Sequence, residues 1–66
     1  MMSNRVAFKP VPIHLQIKWD HMIEGYTDAV KKLKPRSNNM FYMEGYEAQQ
    51  QGYTLAPEIL QYMMRG

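Results

Sequence analysis

The sequence contains no cysteine, which removes disulfides, thiolate metal ligands and a cysteine nucleophile together. With 66 residues, the chain is near the size at which burial only just outweighs conformational entropy, so its stability has to come from packing, within itself or against a partner. No apolar run exceeds four residues. That excludes a membrane span and the apolar core of a signal peptide, and leads to the expectation of a cytoplasmic protein with no membrane partner. Nor is there a strong charge of either sign: the formal net charge is +2 and the isoelectric point about 9.0, which permits nucleic-acid binding without indicating it.

Chemical signatures are missing as well. There is no glycine-rich phosphate loop and no nucleophile elbow, and the six carboxylates are scattered. His14 and His21 are seven residues apart, whereas chelation of one ion along a helix uses a spacing of four, so both read as surface or boundary residues. The expectation is no catalytic residue, no metal, no cofactor and no enzyme activity.

What is present is a short phrase used twice. Glu24-Gly25-Tyr26 and Glu44-Gly45-Tyr46 lie 20 residues apart, each preceded by an apolar pair and trailed by Leu-x-Pro, at Leu33 to Pro35 and at Leu55 to Pro57. A repeat of this length predicts two related helices packed on one another. Glycine inside a helix is about 1 kcal/mol worse than alanine, so two of them at equivalent places require close approach of another backbone or ring. Gly25, Tyr26, Ala29, Gly45 and Ala48 are therefore the candidate packing residues, with Tyr42 and Tyr46 either filling the groove between helices or forming an exposed platform for a base or partner side chain.

The elements follow from periodicity. Residues 1–11 read as an extended arm, because Val6 and Phe8 alternate with polar neighbours and Pro10 and Pro12 remove two donors. It folds over the domain or docks on a partner. Residues 12–66 form one small helical domain. A long amphipathic helix starts at Pro12 or Ile13, carries Leu15, Trp19, Met22, Tyr26, Ala29, Val30 and Leu33 on its apolar face, and is stopped by Pro35. Its polar face includes Lys18, Glu24, Asp28, Lys31 and Lys32, with Asp28 and Lys32 in favourable acid-before-base order. After a polar turn capped by Ser37 or Asn38, a second helix spans about 39–51 and ends at Gly52, with Tyr42, Met43 and Tyr46 on one side and Phe41, Gly45 and Ala48 on another. Pro57-Glu58 opens a short third helix, apolar nearly all round, which closes the core or meets another chain. The fold class is all-α: a small helical hairpin, a short third helix and an extended arm.

Lys31, Lys32, Lys34 and Arg36 place four positive charges in six residues. The chain also has seven methionines and five tyrosines; such residues adapt to irregular protein surfaces, or serve as filler in a loosely specified core.

A helix with Gly25-Tyr26-x-x-Ala29, a turn Lys34-Pro35-Arg36-Ser37-Asn38-Asn39, and a second helix with Tyr42, Gly45, Tyr46 and Ala48 resembles the ribosome modulation factor family and its short bacterial and phage relatives. The resemblance spans about residues 22–52. It differs from the family in having tyrosines where tryptophans are usual, a short connecting loop without the Pro-Tyr, and a weaker positive charge. The resemblance implies a two-helix fold that binds the small ribosomal subunit and promotes inactive, paired ribosomes. Lys31, Lys32, Lys34 and Arg36 would then meet rRNA phosphates, with Tyr42 and Tyr46 also candidates for contact with nucleic acid or a partner. The expected function is a non-enzymatic, RNA-binding regulator of translation. The alternative is a phage- or bacteria-encoded inhibitor that occludes a host enzyme or nucleic-acid machine; a homo-oligomer through Ile59, Tyr62 and Met63 is a third possibility.

Overall fold

The computed structural model describes residues 11–64, in which there are three helices and no strand: α1 (Ile13–Val30), α2 (Met40–Gln50) and α3 (Pro57–Met64). The all-α expectation holds. The arm expected over residues 1–11 lies outside the described residues except for Val11.

Pro12 is the residue before the first turn of α1, with ψ 146°, and its carbonyl accepts from the amides of Leu15 and Gln16, both at 3.0 Å. The helix ends sooner than the periodicity predicts. Lys32 turns left-handed, with φ 62°. Its amide donates to the Ala29 carbonyl at 3.0 Å and the Leu33 amide donates to that of Asp28 at 2.9 Å. This paired reversal satisfies the last carbonyls and stops α1 before Pro35 is reached. Pro35 therefore lies beyond the stop.

Helix α2 ends in the same way. Gly52, with φ 86°, occupies the position of Lys32, and the amides of Gly52 and Tyr53 donate to the carbonyls of Gln49 and Ala48 at 3.1 and 2.9 Å. Its start differs by one residue from the expected cap. Asn39 Oδ1 accepts from the amides of Phe41 and Tyr42 at 2.8 and 3.1 Å, while Ser37 Oγ accepts from the Asn39 amide at 3.0 Å. The capping side chain needs extended backbone, and Asn39 has it, with ψ 136°.

The two helices meet at the repeated glycines, both buried. A Cβ built on Gly25 would fall inside the carbonyl oxygen of Tyr42, and one built on Gly45 inside that of Met22. The contact is reciprocal, because Met22 and Tyr42 are themselves 20 residues apart, as are the glycines. Tyr42 and Tyr46 line the α1-facing side of α2 with Ala29 opposite and Met43 packed beside them, and their rings stack at 6.2 Å. Gly45 therefore shares a face with Tyr42 and Tyr46 rather than lying on a separate side. Ala48 and Tyr26 are half-buried.

Leu55, just before α3, and Ile59 on it are buried. Tyr62 ties α3 to α1: its hydroxyl donates to Asp20 Oδ1 at 2.8 Å, and its ring meets Trp19 edge-on at 5.5 Å. These contacts bear on the three residues expected at a self-association surface. Ile59 is spent in the chain's own core and Tyr62 on α1, so of the three residues only Met63 is exposed.

Gly25→Ala and Gly45→Ala should each destabilise the fold by about 2 kcal/mol or more, despite alanine's better helix propensity, because the added methyl meets backbone that cannot rotate away. Thermal melts followed by circular dichroism check this. Lys32→Gly should act oppositely, stabilising by roughly 0.5–1 kcal/mol by removing the Cβ penalty of the left-handed conformation.

Candidate nucleic-acid interface

The loop between α1 and α2 is held from below by a buried carboxylate. Asp28 is 2% exposed, although the periodicity places it on the solvent face with Lys32 as its partner. The structure gives it Arg36 instead. Asp28 Oδ1 accepts from Arg36 Nη2 at 2.8 Å, and Oδ2 accepts from Arg36 Nε at 2.9 Å and from the Tyr42 hydroxyl at 2.5 Å. The Tyr42 oxygen in turn accepts from the Arg36 amide at 3.0 Å. A two-pronged guanidinium–carboxylate pair fixes both distance and plane, so the chain must fold back at Arg36 for the bonds to form. Tyr46 adds a further tether, its hydroxyl donating to the Leu33 carbonyl at 2.6 Å.

These contacts shift the titration of all three groups. The Arg36 hydrogen bond, followed by that of Tyr42, holds Asp28 below its ordinary value of 3.8, against the opposing effect of burial. Burial first, and the adjacent Asp28 second, push the Tyr42 phenol above its ordinary 10.0. Hydrogen bonding to Asp28 raises Arg36 and keeps it charged. Among the described residues, no buried side-chain polar atom lacks a hydrogen-bond partner.

The predicted contact residues therefore divide. Lys31, Lys32 and Lys34 are exposed. Arg36 is committed to Asp28 through its head group, yet its side chain remains 62% exposed, so it presents charge only as part of the pair. Tyr42 is fully buried and Tyr46 nearly so. Neither ring is an exposed stacking platform; both belong to the core, and this corrects their expected role. Phe41, beside them in sequence, is half-buried with Lys18 Nζ 5.5 Å from its ring centre, a cation–π contact that draws Lys18 in from the polar face.

The electrostatic result is a basic end to the hairpin. From Ala29 to Met43 there are four cations and no carboxylate, and the Asp28 charge is matched by Arg36. The lysines at the end of α1 also sit favourably against the negative end of its dipole. Among the described residues, no group of three His, Asp or Glu side chains is placed to hold a metal, and no helix is long and apolar enough to cross a membrane.

Asp28 is the residue that pattern-reading missed. A signal existed: in the 20-residue register Asp28 corresponds to Ala48, a small residue on the inward side of its helix. Strict alignment of the repeat would have turned Asp28 inward too.

The depressed Asp28 pKa predicts acid lability. Its contribution is present above the unfolded-state value near 3.8 and is lost as pH falls through that value towards the lower folded one. For Tyr42, whose folded value is raised, the contribution is present below about 10.0 and lost as pH rises beyond it. Urea melts at a series of pH values should show a plateau between these limits. Asp28→Asn should lower the plateau and flatten its acid flank; Tyr42→Phe should lower it too, with a smaller acid flank, because Asp28 keeps only the Arg36 bond, and with the alkaline flank flattened.

Compared with family models, curated proteins and solved structures, the chain matches none, so the reading of this site rests on its own geometry.

Proposed function

We propose that the protein is a non-enzymatic binding regulator whose basic loop docks on the phosphate backbone of structured RNA, with ribosomal RNA as the target and translation as the process regulated. The observation that carries this reading is the exposed set Lys31, Lys32 and Lys34 on a loop pinned at both ends, with no carboxylate between Ala29 and Met43. Lysines on a fixed backbone meet phosphates without reordering the chain, and phosphate contacts position a protein without requiring base recognition. The burial of Tyr42 and Tyr46 moves the contact from the aromatic residues to the loop.

A second reading, a protein inhibitor that covers a host enzyme or nucleic-acid machine, draws support from Leu60, Met63 and Met64, which are exposed on α3.

Titration of the full chain into protein-free ribosomal RNA separates the two. Binding should weaken with salt, with a log–log slope of about −2 to −3 for three phosphate contacts. Lys31→Glu and Lys34→Glu should each weaken binding at low salt and make the slope shallower by about 0.7–0.9. Binding to ribosomes but not to free RNA, unchanged by these substitutions, would favour the protein-inhibitor reading. Arg36→Glu is unsuitable for the test, since it sets a second carboxylate against Asp28 and would unfold the loop.

A further inference from the structure

The side of α1 turned away from α2 carries an exposed apolar pair. Helix α2 packs where Met22, Gly25 and Ala29 lie, and α3 reaches α1 at Trp19 and Asp20. By the helical period, Ile13 and Ile17 stand one turn apart on the side opposite α2, and they are 67% and 52% exposed. The same side continues through Asp20 and Glu24, three and seven residues beyond Ile17. Both acids are exposed. Asp20 accepts from the Tyr62 phenol, a neutral donor, and among the described residues neither carboxylate has an ion-pair partner. The face is therefore apolar towards the start of α1 and acidic beyond it.

The chain that leads into α1 is held beside this face. Gln16 Nε2 donates to the Val11 carbonyl at 2.9 Å, and Gln16 neighbours Ile13 and Asp20 on the helix surface. Ten residues precede Val11, and their composition complements the face: Val6 and Phe8 are apolar, Arg5 and Lys9 are positive, and there is no carboxylate. The spacing agrees as well. Extended chain advances about 3.3 Å per residue and α-helix about 1.5 Å, so the three residues from Phe8 back to Arg5 cover about 10 Å, as do the seven from Ile17 on to Glu24.

We infer that the chain's own N-terminal arm occupies this face. It turns back at Pro10 to Pro12 and runs along α1 towards the helix C-terminus, with the Phe8 ring over Ile13 and Ile17 and the Arg5 guanidinium at Asp20 and Glu24. A second copy of the chain fits less well. Two such faces overlapped antiparallel over their whole length would set isoleucines against the second copy's carboxylates, and overlapped parallel would set carboxylate against carboxylate. The arm brings an apolar ring to the isoleucines and a cation to the acids at once. Its docking covers the one acidic stretch of α1's outer side, so that the charge left open on the hairpin is that of the basic loop.

The test uses the full chain with its isoleucine methyl groups isotope-labelled. Nuclear Overhauser contacts should join the Phe8 ring protons to the methyls of Ile13 and Ile17, in a protein that light scattering shows to be monomeric. Phe8→Ser should lower the melting temperature by about 4–8 °C. Ile17→Ser should lower it by much less in the Phe8→Ser background than in the wild type, since both substitutions remove the same contact. Arg5→Glu should lower it at low salt, and adding Glu24→Arg should recover most of that loss. A swap that recovers nothing would overturn the register. Absence of Phe8–isoleucine contacts in the monomer, with additive melting shifts, would overturn the docking itself. Contacts found solely between labelled and unlabelled chains of a dimer would overturn it too, and would give the face to a second copy.

Discussion

The structure depends on two backbones touching without side chains between them. Gly25 rests on the carbonyl of Tyr42 and Gly45 on that of Met22, so each helix presents a gap into which the other's main chain fits. At this separation large side chains are excluded from the crossing and pushed to its flanks. There Tyr42 and Tyr46 stack on each other beside Ala29 and form the buried cluster of the hairpin. A crossing set by main-chain contact has a single register. In a chain without cysteines, this contact does the work that a covalent staple does in other small domains.

Close packing at the glycines brings polar groups inside with the rings. The Tyr42 hydroxyl is drawn into the interface and must find a partner there; Asp28 supplies an acceptor, and a buried carboxylate in turn requires a counter-charge. Arg36 provides it from the connecting loop. One steric constraint thus leads to a folded loop, since the loop must run in the direction that puts the guanidinium over Asp28. The same geometry turns Lys31, Lys32 and Lys34 outward and leaves the loop end of the hairpin basic. Core and surface are linked by this chain of requirements, and the arrangement of the exposed lysines follows from the packing of two glycines 20 residues apart.

The internal repeat is nearly symmetric in backbone and asymmetric in side chains. Both copies carry the contact glycine, a tyrosine after it and a left-handed reversal seven residues beyond it. They diverge where one has Asp28 and Lys32 and the other Ala48 and Gly52. The second copy holds the residues that packing and turn geometry alone would choose, whereas the first holds charge at both places. The charged side chains of the proposed RNA-binding surface are concentrated around that first copy.

Much of this was legible without coordinates. Three helices, their approximate ends, the capping role of Gly52 and the packing role of Gly25 and Gly45 follow from periodicity, proline and glycine placement, and the repeat, because these report backbone geometry that a residue imposes on itself and its near neighbours. Asp28 was misplaced because the helical period places it on a flank that becomes interior only once α2 approaches at backbone contact. Lys32 stopped α1 ahead of Pro35 because the reversal is stabilised by hydrogen bonds to α1's own carbonyls, not by a residue with a special preference for it. The sequence by itself determined which segments are helical and which two positions allow close approach, since those are local properties of the chain. Only the tertiary structure decided which side chains that approach would bury. Burial at a crossing depends on the angle and distance of the partner helix, and these pair Asp28 with Arg36 and Tyr42 and leave three lysines facing outward.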